Sequence, residues 1–346
     1  MNIKNDVLEI PRSLQRFVET DLAQIEKQVR QWRLGEGPIF VVGEASCEPA
    51  VGTASYAFES LLARPAPARV ASTFTEYTLH SLEPRSVVLA VSRSGENEEV
   101  LRAANLAKSR GSALWAVTAA EQSRLSKMAR AVLPVFQGEA GRSDAAWIVG
   151  AQAAVLALAM VAARILRQPS AEERNLEEEF HRLPRLMEDT LLRVQDAARS
   201  LAGELTRLRK VVIAGGGFFH PVAAQAAAGL RACNMDAEGC EITDFRPSPQ
   251  RDGPPASGVL LFSSSRCRLK RQAHEAARLA RFAGEEVFAV TDTNDRDLAA
   301  RSKLAILLPT LEEATGAVLA ASVSRWVLAF VEPAAHPERH KKSPKV

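Results

Sequence analysis

The chain has 346 residues, 47% of them hydrophobic and 25% charged, which is enough for two domains with cores of ordinary composition. Its 44 basic and 41 acidic residues leave a net charge of +3, and the basic residues are spread along the sequence, so no nucleic-acid partner is expected. No transmembrane helix or membrane partner is expected, and the opening MNIKNDVLEIPRS has no apolar signal core. The four cysteines, Cys47, Cys233, Cys240 and Cys267, have no CxxC spacing. They read as free thiols of a cytoplasmic protein, with no metal site and no cofactor.

Residues 1–34 read as an N-terminal arm with one amphipathic helix over 13–32. Residues 39–42 form a short apolar strand ended by Gly43-Glu44-Ala45-Ser46, followed by an apolar-rich helix over 49–63 and a strand near 69–71. Residues 87–91 are an apolar, β-branched run, the composition of a buried parallel strand. Ser92-Arg93-Ser94-Gly95 follows as a hydroxyl-rich turn. Residues 96–108 then have helical periodicity, with Val100, Leu101, Ala104 and Ala107 on one face. Free N–H groups, the helix dipole and two hydroxyls converge at such a turn, which suits the phosphate of a small molecule. The alternative is a plain N-cap serine with acidic first-turn residues. Strands are expected at 113–118 and 131–135, and an Ala-rich helix, apolar nearly all round and therefore buried, at 145–166.

Residues 170–208 are charged and helical and read as a linker. A strand at 210–214 then runs into Gly215-Gly216-Gly217 and an Ala-rich helix over 221–233. A strand at 259–262 ends in Ser263-Ser264-Ser265-Arg266, and a helix follows. Strands at 287–291 and 304–308 precede a final apolar helix over 315–331. The halves repeat one order: Ser92 precedes Thr118 by 26 residues, and Ser263 precedes Thr291 by 28. The expectation is an α/β protein with two doubly wound parallel-sheet domains, each a three-layer α/β/α sandwich, related by an internal repeat. The expected division is an arm at 1–34, a first domain at 35–168, a linker at 169–208, a second domain at 209–332 and a basic tail at 333–346.

Each motif also has a structural reading. Ser46 either donates to the ligand of the 92–97 loop or caps a helix. The triple glycine permits positive φ and close backbone approach, but Phe218-Phe219-His220 after it does not fit a GxGxxG dinucleotide fingerprint. His220 beside it is more often structural. Ser263-Ser264-Ser265-Arg266 resembles a second anion loop, yet the following Cys267-Arg268-Leu269-Lys270-Arg271 reads as a solvated basic face. The basic tail reads as solvent-facing chain.

Together these residues resemble the tandem SIS (sugar isomerase) domain family, which includes the isomerase domain of glucosamine-6-phosphate synthase and the fructosamine-phosphate deglycases. Ser92-Arg93-Ser94-Gly95-Glu96 is similar to the family's S-x-S-G-E/D-T loop, with Asn97 in place of threonine. Ala71-Ser72-Thr73-Phe74 is similar to its A-S-E-F segment, and Phe58-Glu59-Ser60-Leu61 to the end of its first helix. Asp244-Phe245-Arg246-Pro247-Ser248-Pro249 resembles an altered E-F-R-H-G-P, and residues 337–342 resemble P-R-x-L-x-K.

The resemblance implies a hexose or amino sugar phosphate as ligand, at the first domain's carboxyl edge, completed across a homodimer interface. Ser46, Ser92, Arg93, Ser94, Gly95, Glu96 and Asn97 would form the phosphate site. Glu44 replaces a family glycine and would repel phosphate unless it points away or pairs with Arg93. Aldose–ketose isomerisation also needs a base to move a proton between C1 and C2 and an acid–base group for ring opening. The family's glutamate and histidine positions are Ala232 and Pro247 here. Lys342, with Glu238 or Asp244, is the substitute set; Glu241 lies nearby. The expected function is a sugar phosphate isomerase or deglycase. The alternative is a catalytically silent sugar phosphate sensor or regulatory subunit.

Overall fold

The computed structural model describes residues 3–32, 34, 37–136, 144–167, 169–247 and 257–335. They divide into one unit over Glu9–Pro184 and a second made of Met1–Leu8 with Arg185–Val346. The helix Ala171–Arg193 contains both Pro184 and Arg185, so the division falls at an internal proline, which removes one ladder hydrogen bond.

The first unit holds strands β1 (Ile39–Gly43), β2 (Ala68–Val70), β3 (Val87–Val91), β4 (Ala113–Val117) and β5 (Ala131–Leu133). All pair in parallel, in the order β2-β1-β3-β4-β5. Every residue of β1 and β3 is buried. A parallel strand covered by helices on both faces must be apolar throughout, hence the continuous runs in the sequence. Phe40, Val42, Val88, Ala90, Leu114 and Ala116 belong to one core cluster with Val100 and Ala104 of the helix Glu98–Ser109. The helix Glu48–Leu62 packs on the long helix Asp144–Leu166.

Register sets Gly43, Val91 and Val117 level, so the segments leaving β1, β3 and β4 share one edge. β1 leads to a strand on one side and β3 to a strand on the other. The crevice between them is where ligands of doubly wound sheets bind.

The second unit holds β6 (Lys210–Gly215), β7 (Ala237–Glu241), β8 (Ser257–Phe262), β9 (Glu286–Asp292) and β10 (Leu304–Leu308). Its order, β10-β9-β8-β6-β7, is the first sheet's order read from the other end. Gly215, Phe262 and Val290 are level, so the triple-glycine turn and the 263–266 loop also meet at a switch point.

Several elements differ from the sequence expectation. The expected helix over 13–32 is three pieces: Ile10–Arg16, a π-helical turn Phe17–Asp21, and Leu22–Trp32. β7 has no apolar run to announce it, because it is an edge strand buried only at Ala237. Two helices, Asp144–Leu166 and Glu313–Val331, are apolar and long enough to cross a membrane by length and composition alone. In each, 94% of the apolar window is buried inside the protein, as for core helices.

Candidate functional site

At the carboxyl edge of the first sheet, the chain leaves β3 at Ser92, which is fully buried. Its amide donates to the Val117 carbonyl at 3.0 Å, which ties the loop to β4. Its Oγ accepts from the Gly95 amide at 3.2 Å and donates to Glu44 Oε1 at 3.3 Å. Gly95 has φ +65°, and a Cβ there would lie 3.0 Å from Thr118 Oγ1 and closer still to Ser123. Only glycine turns the chain this tightly here.

Asn97, not a serine, is the N-cap: its Oδ1 accepts from the Val100 amide at 3.1 Å, so the helix starts at Glu98, two residues later than expected. With Oδ1 committed to the cap, Asn97 Nδ2 donates to Glu44 Oε2 at 2.9 Å. The Glu44 carboxylate therefore spans Ser92 and Asn97 at the N-terminal end of a 12-residue helix, where backbone dipoles favour an anion.

The other expected ligands lie elsewhere along this edge. Arg93 pairs with Asp144 rather than Glu44, and its carbonyl accepts from Thr118 Oγ1 at 3.1 Å. Ser94 is exposed, its Oγ accepting from the Glu96 amide at 3.2 Å. Glu96 faces solvent and accepts from the Arg124 amide at 2.8 Å and Arg124 Nε at 2.6 Å, bonds that hold its carboxyl below its ordinary value. Ser46 is exposed, and its Oγ is 3.9 Å from Cys47 Sγ. The structure thus brings Ser92, Gly95 and Asn97 together around Glu44, while Ser46, Arg93, Ser94 and Glu96 have other partners.

Cys47 was passed over in the sequence because its spacing matches no thiol motif. It is buried, and its Sγ lies 3.7 Å from Glu44 Oε1. Burial first, then the Glu44 charge, pushes its thiol up to about 12. Thr118 also lines a depression of about 530 Å³ with Asp21, Gln28, Glu121 and Arg130. Burial raises Asp21 above its ordinary value. Two carboxylates against one arginine suit a phosphate poorly.

The second edge has the same plan with its own acids. Asp292 Oδ2 accepts from the Ser265 amide and hydroxyl, both at 2.8 Å, and its Oδ1 from the Asn294 and Asp295 amides at 2.9 and 3.0 Å. Glu313 Oε2 accepts from the Arg268 amide at 3.2 Å, and Cys267 Sγ lies 3.6 Å from its Oε1. Gly217, at φ +57°, leaves room for that carboxylate: a Cβ would meet Glu313 Oε1 at 2.5 Å. Burial raises the Glu313 carboxyl above its ordinary value. Arg266 pairs with Glu312.

Of the expected proton-transfer groups, Glu238 is the second residue of β7, exposed and paired with Lys210 at 2.9 Å. It lies three residues before the edge. Asp244 is exposed in the 3₁₀ turn after β7. Glu241, level with Gly215, sits at the edge itself. Burial raises its carboxyl, with His220 acting against that, and its Oε2 is buried with no hydrogen-bond partner among the described residues. Ala232 ends the helix Phe219–Ala232. Lys342 and residues 248–249 lie outside the described residues. Among the described residues no three His, Cys, Asp or Glu are placed to hold a metal.

Two parallel sheets with helices on both sides, each with a serine-rich loop at its switch point, make this an α/β protein of two doubly wound domains. Residues 37–164 match the SIS domain. It is 28% identical over 236 residues to the isomerizing glutamine–fructose-6-phosphate aminotransferase of Rhizobium meliloti (strain 1021), across 67% of this chain and 38% of that protein. The chain spans less than half the length of the curated relatives it matches.

Its fold is similar to the C-terminal domain of glucosamine-fructose-6-phosphate aminotransferase from Francisella tularensis. The TM-score is 0.83 at 14% identity, over 97% of this chain and 96% of that one. It is also similar to tagatose-6-phosphate ketose/aldose isomerase from Escherichia coli, with TM-score 0.78 at 16% identity, over 98% and 94%. At these identities the likeness is one of fold.

Proposed function

We propose that this is a phosphosugar-binding protein of the isomerase or deglycase type, whose ligand, a hexose or amino sugar phosphate, places its phosphate on the 92–97 loop. One observation carries this reading: Ser92 Oγ and Asn97 Nδ2 converge on a carboxylate at the N-terminal end of the helix Glu98–Ser109. Donors that hold a carboxylate there have the chemistry to hold a phosphate oxygen. The relatives' names, which specify fructose 6-phosphate and tagatose 6-phosphate, agree with a sugar phosphate.

Turnover would need a proton-transfer set. Lys342 with Asp244 or Glu238 is the set implied by resemblance, and Glu241 beside His220 is the one at the sheet edge. A second reading, a sugar phosphate sensor without turnover, is favoured by Ala232 and Pro247, neither of which can move a proton. A homodimer is part of the proposal, as is a reducing, cytoplasmic setting, which four free thiols support.

The test is calorimetric titration with fructose 6-phosphate and glucosamine 6-phosphate, combined with solvent deuterium incorporation at C2. Binding with exchange supports the enzyme, and binding without exchange the sensor. Absence of binding by both esters and by a fructosamine phosphate overturns the assignment.

A further inference from the structure

Glu44 holds the position that the proposed ligand needs. Its carboxylate accepts from Ser92 Oγ at 3.3 Å and from Asn97 Nδ2 at 2.9 Å, the donors assigned to phosphate. Neither donor is spare. Ser92 is fully buried and its Oγ already accepts from Gly95. Asn97 is fixed by its capping bond to Val100. Among the described residues no cation pairs with Glu44: Arg93 pairs with Asp144, and Arg124 with Glu96 and Glu98. A phosphate dianion entering the loop must take Glu44's hydrogen bonds and then lie beside an unneutralised carboxylate.

We propose that Glu44 is the specificity determinant of this site, an internal competitor that holds affinity for phosphate esters down. The inference rests on the phosphosugar reading of the 92–97 loop. It follows that removing the Glu44 charge strengthens binding of phosphate itself, whatever sugar carries it. An unphosphorylated sugar should be indifferent to the change. Glu44→Gln removes the charge while keeping a side chain of the same length, and Glu44→Gly removes the side chain.

The experiment is titration of native protein, Glu44→Gln, Glu44→Gly and Ser92→Ala/Glu44→Gln with fructose 6-phosphate, glucosamine 6-phosphate, inorganic phosphate and fructose. Thermal melts check that each variant is folded. The expected result is at least a tenfold tighter Kd for both esters and for inorganic phosphate in the two single variants, about 1.4 kcal/mol. Fructose should be unchanged, and the gain should be lost when Ser92 is also removed. If native protein binds the esters and the Glu44 variants bind them equally or more weakly, the competitor role is overturned and the phosphosugar reading stands. If no variant binds any phosphate compound, both fall.

Discussion

Ser92→Ala tests whether the 92–97 loop is held together as its geometry indicates. The hydroxyl has zero exposure and makes two bonds, accepting from Gly95 N at 3.2 Å and donating to Glu44 Oε1 at 3.3 Å. Alanine leaves the Gly95 amide without its acceptor and Glu44 with one donor fewer. A buried donor left unpaired costs about 1–3 kcal/mol, and a bond to a charged acceptor about 1.5–3 kcal/mol. Both bonds are longer than average and Glu44 is half-buried, so the low end of each applies. The sum is a loss of roughly 2.5 kcal/mol, or about 5–10 °C in Tm for a unit of this size. Urea titration followed by circular dichroism reads it directly. Ser94→Ala is the control: that hydroxyl is exposed, and its loss should stay within about 0.5 kcal/mol. Equal stability of Ser92→Ala and wild type would refute the hydrogen-bonded loop.

Two further outcomes are expected. Cys47 and Cys267, buried and pushed up to about 12, should resist iodoacetamide at pH 8 in the folded protein, while half-buried Cys233 labels first. Peptide mass spectrometry showing Cys47 labelled as fast as Cys233 would contradict its placement. Glu313 has a carboxyl raised by burial from an ordinary 4.5. In that window the folded state binds more protons than the unfolded chain. Its contribution is therefore fully present below pH 4.5 and is lost as pH rises through the raised folded value. Glu313→Gln should flatten this part of the stability–pH curve, and a variant curve parallel to wild type would count against it.

The sheets were legible in the sequence because buried parallel strands are apolar on both faces. β3, β6 and β8 announce themselves this way, and their loops follow by topology. β7 was not legible, since an edge strand with Glu238, Cys240 and Glu241 has no such run. That omission left nothing in the sequence to favour Glu241 over Glu238, although register separates them by three residues and sets only Glu241 level with Gly215. The π-helical turn at Phe17–Asp21 was hidden because one extra residue in a turn barely disturbs an amphipathic pattern. Ser92 and Asn97 were singled out by motif. The direction of Glu44 depends on bonds to residues 48 and 53 positions away, which no local pattern carries.

The two sheet edges answer the same electrostatic problem differently, and the difference bears on which one can receive a ligand. Each serine-rich loop gathers donors at a helix start, and each is met by a carboxylate of the chain. In the second unit Asp292 is 1% exposed and takes four donors, three of them backbone amides that cannot turn away. Glu313 is buried deeply enough to raise its carboxyl, and it accepts the Arg268 amide. Displacing either would strand backbone N–H groups, at about 1–3 kcal/mol each, so these acids are part of the fold. Glu44 is half-buried and is held by two side-chain donors and a weak thiol contact. Swinging it out strands no backbone group, and a phosphate oxygen could take over both bonds. The first edge is thus the exchangeable one, which supports the proposed phosphate site in the unit whose residues 37–164 match the SIS domain.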